Sequence, residues 1–321
     1  MTNRPDLSVI IPMHDASATV TGVVQSFLGI DVAAIEVVVI DDASTDDSVE
    51  RVTALGRPEV IVEQLETNRG AGIARNRGFE RATGRYTIFF DADDEIHQAS
   101  LTSAIAALDD TGADVAVMPY RYRRGLSPQS EEMNSFDTVT WRQYATSPRR
   151  VTGLGDVPRL LGFSSYPWNK LLRTDYYGQT GLRFGSTPVH NDILGHWLTL
   201  LDARSIILLD QPLCTHIVNE GARNLTNRES RARLSLVDAL DETYSALEAR
   251  PAKRNRFSHH YWDFVLRVAA WATPRMAPDV LDEFNLRLQH HLLRMDLGDF
   301  TRIRKWRDPG LSTRIIRRAL A

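Results

Sequence analysis

Residues 86–95, Tyr86-Thr87-Ile88-Phe89-Phe90-Asp91-Ala92-Asp93-Asp94-Glu95, decide how this chain folds. Five aromatic and β-branched residues predict a buried strand. The strand runs directly into three aspartates. Carboxylates this close repel one another, and a hard divalent cation bridging to phosphate relieves them, because Mg²⁺ and Mn²⁺ favour one or two carboxylates plus substrate oxygens. Taken alone, an Asp-x-Asp fits a solvated acidic turn equally well. A calcium EF-hand does not fit: counting from Asp91, Ile96 stands where Gly is needed and Thr102 where a bidentate Glu is needed.

The upstream sequence supports a site. Leu7 to Met13 reads as a strand whose exit is marked by Pro12. Asp15 or Ser17 is placed to cap a helix with the stripe Val20, Val23, Val24, Phe27 and Leu28, ended by Gly29. Ile35 to Ile40 is a second strand, entering the acidic turn Asp41 to Asp46 and a helix to about Leu55. Val60 to Leu65 is a third strand, and Gly70 to Thr83 a helix. Such alternation over roughly the first 120 residues predicts a parallel, doubly wound sheet there. Ligands sit at the carboxyl ends of such strands, where Asp15, Asp41, Asp42 and Asp91 to Asp94 all fall. Neither Gly-x-Gly-x-x-Gly nor a P-loop follows the first strand, so any phosphate falls to metal and basic side chains.

Composition sets the outer bounds. With 321 residues, 43% hydrophobic and 25% charged, the chain has the profile of a soluble globular protein of one large or two modest domains. No run approaches the roughly 20 apolar residues of a membrane span. The start, MTNRPDLSVI, lacks a signal-peptide apolar region, and the single cysteine, Cys214, excludes an intrachain disulfide. The expectation is a cytoplasmic protein. Net charge is −3, unevenly spread: residues 1–227 hold 20 basic and 29 acidic side chains, residues 228–321 hold 18 and 12. The acidic part argues against a nucleic-acid partner, and the basic part suits an anionic surface.

SVIIPMHDAS (8–17), VVVIDDASTDDS (37–48) and NRGAGIARNRGFERATGRYTIFFDADD (68–94) together resemble family-2 glycosyltransferases with the GT-A fold. The likeness covers about residues 7–120 and continues more weakly to about 220. It implies a doubly wound mixed α/β sheet, with a Rossmann-like nucleotide-sugar half at 1–120 and an acceptor-side half at 121–227. It implies that Pro12, Asp15, Asp41, Asp42, Arg75, Asp91 and Ala92 lie at the nucleotide sugar, and that Asp93 holds Mn²⁺ or Mg²⁺. Lys170, in YPWNKLLR, matches the family's Trp-x-Lys segment near the donor phosphates. Asp192 matches the catalytic base, although Asn191 stands where the family usually has Glu. His216 occupies a place where some relatives present a metal ligand, and Arg223 is a further candidate for the phosphates. Each residue has an ordinary alternative: helix cap, ion pair or strand histidine.

Residues 121–165 read as loops around short helices anchored by Trp141 and Tyr144, shaping a second substrate site. From Arg228 the pattern is helical, an accessory region over 228–321. Within 302–321, Leu311, Ile315, Ile316, Ala319 and Leu320 form one helical stripe opposite Arg314, Arg317 and Arg318, which suits an anionic membrane surface or a packed terminal helix. The combined expectation is a metal-dependent inverting transfer from a nucleotide-diphosphate sugar, with uridine the favoured base, to a glycan or lipid-linked acceptor in cell-surface polysaccharide synthesis. A catalytically inactive scaffold and a nucleotidyltransferase are the competing readings, the latter opposed by the lack of a Gly-rich basic loop in PMHDAS.

Overall fold

All seven residues of Leu7–Met13 (β1) are buried, as expected of a β-branched strand covered by helices on both faces. In a computed structural model that describes residues 4–320 except 33, 126, 128, 130 and 219–230, this strand is the hub of the main sheet. Val20–Leu28 (α1) leads to Ile35–Asp41 (β2), which pairs parallel with β1 from Leu7↔Ile35 to Met13↔Asp41. Ser48–Thr53 (α2), Val60–Gln64 (β3) and Ala71–Arg81 (α3) follow. Tyr86–Phe89 (β4) then returns to the other side of β1, again parallel.

Beyond β4 come Glu95–Ile96 (β5), Gln98–Thr111 (α4), Val115–Val117 (β6), Arg121–Arg124 (β7), Ser135–Tyr144 (α5) and Arg149–Thr152 (β8). Lys170–Arg173 (β9), Thr174–Tyr177 (α6), Asp192–Asp202 (α7), Ile206–Leu209 (β10) and Cys214–Val218 (β11) complete this part. The eight-stranded sheet has the order β3-β2-β1-β4-β9-β6-β10-β8.

The sheet is mixed, as the family resemblance implies: β1 to β4 and β6, from the first 120 residues, run parallel as their alternation with helices predicts, and the antiparallel β8 and β9 come from residues 149–173. β9 lies antiparallel between β4 and β6, with Lys170 opposite Val117. It therefore begins at the same sheet end where β4 and β6 finish. The run RYRRG, expected as loop, supplies β7, and TSPRRVTG contains β8. Trp141 and Tyr144 are buried as expected. A second sheet, β5-β11-β7, places His216 in register with Tyr122 and Thr215 opposite Glu95. Three long-separated segments thus meet over the acidic turn after β4.

A distinct C-terminal helical region follows: Ser235–Glu248 (α8), Pro251–Ala272 (α9), Leu281–Leu292 (α10), Leu297–Arg302 (α11) and Pro309–Ala319 (α12). It packs on α7, whose residues Ile193 to Leu201 are all buried; Trp197 meets Tyr261 at 5.3 Å and Phe264 at 5.8 Å between ring centroids. The expected boundary at 227/228 lies outside the described residues. The apolar stripe of α12 divides: Leu311 and Ile315 are buried inward, while Ile316 and Leu320 are exposed. Each inward side chain contributes roughly 1.5–3 kcal/mol of apolar burial, so the core claims Leu311 and Ile315, with Ala319 packed partly against it.

α3 lies so close to the sheet that a Cβ at Gly78 would stand 2.2 Å from Ile10 Cγ2 and 3.3 Å from Ile40 Cγ1. Both neighbours are wholly buried and cannot withdraw. Gly78→Ala is therefore expected to destabilise the fold by about 1–3 kcal/mol despite its better helix propensity. A urea melt will show a lower midpoint with an unchanged slope; an unchanged or higher midpoint would refute this packing.

Candidate active site

Two loops at the carboxyl ends of β1 and β2 are fastened to each other. The Thr45 N–H donates to Asp15 Oδ1 at 2.7 Å, and the Asp15 N–H donates to Ser44 Oγ at 3.0 Å. The bond from the Thr45 N–H, helped by the charge of His14 and the Thr45 hydroxyl, holds the Asp15 carboxyl below its ordinary range. Asp15 does not cap α1, whose N-cap is Thr19 with no side-chain cap bond; its φ of +47° turns it toward the second loop. Asp41 accepts from the Ser44 N–H at 3.2 Å, and Asp42 accepts from the N–H groups of Arg69 and Gly70, both at 2.7 Å. Asp42 thus fixes the entry to α3, and Pro12 lies buried in β1 opposite Ile40.

Arg75 leaves α3 and is 5% exposed. Its Nη2 donates to Asp91 Oδ1 at 2.6 Å and its Nη1 to Asn191 Oδ1 at 2.8 Å. One guanidinium therefore ties the end of β4 to the residue before α7. Its neighbour Asn76 clamps the same loop, donating to Phe184 O at 3.1 Å and accepting from Phe184 N at 2.7 Å. A Cβ at Gly72 would stand 2.0 Å from Gly185 O, so only glycine permits this approach. The helical region holds the loop's other side: Glu242 accepts from Ser186 Oγ at 2.6 Å, and Ser235 Oγ donates to Val189 O at 3.3 Å.

Asp192 opens α7 directly after this clamped loop. Burial, which disfavours the charged form, raises its carboxyl above the ordinary range; Arg75 opposes the rise and Asp91 adds to it. Asp93 is pushed up to about 7, first by burial and then by the charges of Asp94 and Asp91. Ala92 is almost fully buried between these aspartates. Asp94 is committed elsewhere. It accepts from His216 Nδ1 at 2.8 Å and from the Ile217 N–H at 2.8 Å.

The Asp94 bond fixes the protonated nitrogen of His216 and leaves Nε2 as the free lone pair, the arrangement in which a histidine ligates metal. Among the described residues, no three His, Cys, Asp or Glu side chains are grouped to hold a metal by themselves. Asp93 and His216 are the residues that could hold a cation, its remaining ligands coming from substrate and water.

Lys170 is 2% exposed, with Nζ donating to Tyr166 O at 2.7 Å and Asn169 Oδ1 at 2.6 Å. Burial pushes it down to about 7, against the pull of Asp192. Sequence reasoning missed Asp94 as the partner of His216, and it missed an aromatic wall. Tyr166 stacks on Trp168 at 4.4 Å and stands 5.3 Å from the His216 ring, while its hydroxyl meets that of Tyr122 at 3.0 Å. The one signal available was the alternation of Tyr122 with arginines in RYRRG. Arg223 lies outside the described residues. The described residues with positive φ other than glycine are Asp15, Ala43 and His190, one in each loop bordering these groups. Strain of this kind concentrates at working sites.

Residues 8–167 match the family described as Glycosyl transferase family 2. The chain belongs to this family. It is 28% identical over 246 residues to the uncharacterized glycosyltransferase YibD of Escherichia coli K12, covering 73% of this chain and 68% of YibD. It is 34% identical over 113 residues to the succinoglycan biosynthesis protein ExoO of Rhizobium meliloti, or 35% of this chain and 32% of ExoO. The chain therefore spans about a third of that relative's length. Staphylococcus aureus TarS 1–349, in a crystal structure with UDP-GlcNAc, superposes with a TM-score of 0.75 at 19% identity. That superposition covers 98% of this chain and 88% of TarS 1–349, and it establishes the GT-A fold.

The Asp94–His216 pair gives a prediction about the imidazole itself. Burial lowers its affinity for a proton, but Asp94 more than compensates, so His216 titrates above the ordinary 6.5. Asp94→Asn is expected to bring the His216 titration midpoint down, read from its imidazole NMR signals. An unmoved midpoint would mean that the carboxylate does not set the ring.

Proposed function

We propose that this family-2 glycosyltransferase moves a sugar from a uridine diphosphate sugar to an acceptor hydroxyl with inversion, in building a cell-surface polysaccharide or glycoconjugate. The observation that carries the proposal is the convergence of Asp91, Asp93, the Asp94–His216 pair, Arg75 and Asp192 at one end of the sheet. The UDP-GlcNAc in TarS and the succinoglycan role in ExoO's name support the donor and the product class.

In this reading Asp192 is the base. Its carboxylate accepts the proton of the acceptor hydroxyl as that oxygen forms a bond to the anomeric carbon, while the bond to the diphosphate breaks on the opposite face. The transition state has oxocarbenium character, as in glycoside hydrolysis. Arg75 keeps Asp91 and the start of α7 at a fixed separation, so donor and base stay aligned. Pro12, Asp15, Asp41 and Asp42 border the nucleotide through the loops they fasten. Lys170 has its ammonium committed to Tyr166 and Asn169, so its part is to set the field at Asp192 from behind. Asp93 and His216 Nε2 would hold Mn²⁺ or Mg²⁺, which when bound neutralises charge on the departing diphosphate.

A base with a raised pKa has a definite pH signature. Below that pKa Asp192 is protonated and cannot accept a proton, so kcat/KM falls as pH drops through a value above the ordinary aspartate 3.8. Asp192→Asn is expected to lower kcat by about 10²–10⁴ and to abolish that acid limb. A variant that keeps both rate and limb would remove Asp192 from the mechanism.

Binding is tested by melting the protein with UDP, GDP, CDP and TDP, each with and without Mn²⁺. A diphosphate at 100 times its Kd adds about 2.7 kcal/mol. The expected result is a metal-dependent rise with UDP that Asp93→Ala removes. No rise with any diphosphate would favour the scaffold reading, as would failure to release free sugar from donor alone.

A further inference from the structure

Residues 302–320 carry seven basic side chains and one acid. Some of these charges are used internally: Arg302 bonds Asp299, Arg314 pairs with Asp263 at 3.1 Å, and Arg318 donates to Asn285 at 2.6 Å. Arg304, Lys305, Arg307 and Arg317 make no hydrogen bond or ion pair among the described residues and are exposed. Local geometry accounts for this. Ile303–Arg307 closes as a π-helical turn, with the Asp308 N–H donating to Ile303 O at 2.9 Å. Ile303 is thereby seated in the core while the next four residues all face outward, Trp306 among them at 74% exposure.

This turn and α12 border an open groove of about 810 Å³. Ile316 and Leu320, the two stripe residues the core leaves out, supply its apolar wall, and Arg304 and Arg317 stand at its sides. Exposed apolar side chains framed by unneutralised arginines match a boundary that is anionic at its surface and apolar a few ångströms deeper. We propose that this groove is a docking surface for an anionic phospholipid bilayer, with Arg304 and Arg317 on headgroup phosphates and Ile316 and Leu320 at the acyl boundary. Trp306, on the same turn, suits the headgroup level, where amphipathic aromatic rings concentrate.

Two other occupants fit less well. A second copy of the chain related by a two-fold axis would bring Arg304, Lys305 and Arg317 toward their own images, a like-charge contact. A soluble polyanion satisfies the arginines and gives Ile316 and Leu320 nothing. No helix among the described residues is long and apolar enough to cross a membrane, so the contact would be peripheral. It would also be weak enough to respond to salt.

The test is co-sedimentation of the full chain with vesicles of phosphatidylcholine alone and of phosphatidylcholine mixed with phosphatidylglycerol, at low and raised salt. Binding is expected only to the mixed vesicles and to weaken with salt. Arg304→Gln with Arg317→Gln, and separately Ile316→Ser with Leu320→Ser, are each expected to weaken it about tenfold or more. All four side chains are on the surface, and an unchanged thermal melt, with the same response to UDP and Mn²⁺, shows that fold and donor site are intact. Equal binding to both vesicle types, no binding, or variants that bind like the parent overturn the proposal. So does a dimer, seen by sedimentation velocity, that the same substitutions dissolve without vesicle binding. Polyphosphate binding that ignores Ile316→Ser and Leu320→Ser, with no vesicle binding, would assign the groove to a soluble polyanion.

Discussion

One buried guanidinium ties together the sheet end that carries the candidate site. Arg75 sits between the carboxylate of Asp91, where β4 ends, and the amide oxygen of Asn191, where α7 is about to begin. A charge this deep needs partners for its donors: both Nη atoms have one, while Nε has none among the described residues. The two segments must therefore stay within reach of a single planar fork. Asn191 is neutral, so the fork has two partners but only one of them carries an opposite charge.

The opposite wall is held by a second pair. Asp94 is inaccessible to solvent and binds both the ring and the following backbone of β11. Between these fixed points Asp93 pairs directly with no cation among the described residues, and burial with its acidic neighbours raises it to about 7 against the pull of His216. The protein thus assigns its three adjacent aspartates to different tasks. Asp91 anchors, Asp94 aims a histidine, and Asp93 is the one proposed to hold a bound cation.

The C-terminal helices contribute to this arrangement. Glu242 and Ser235 on α8 grip the loop that carries Asn191, opposite the grip of Asn76 and Gly72 on α3. The apolar residues of α12 show the same economy: those facing the core are consumed by it, and Ile316 and Leu320 stay on the surface beside Arg304 and Arg317, which have no ion-pair partner among the described residues. A single stripe in the sequence is thereby divided between stability and surface chemistry.

Local patterning alone determined β1 to β4, the helices between them and the aspartates at the strand ends. In each of these, a run of β-branched residues or a helical stripe outweighs its surroundings, and the turn residues that follow have few alternatives. Tertiary structure decided the rest. β7, β8 and β9 read RYRR, RRVT and KLLR, with at most two apolar residues each, so no buried run shows in the sequence and they become strands through the hydrogen bonds of distant partners. The roles of Lys170, Asp94 and Arg75 likewise depend on what stands opposite. A lysine or aspartate reads the same in sequence whether it faces substrate or a buried carbonyl. Burial and partner geometry, which join residues as far apart as Asp94 and His216, set its charge and its use.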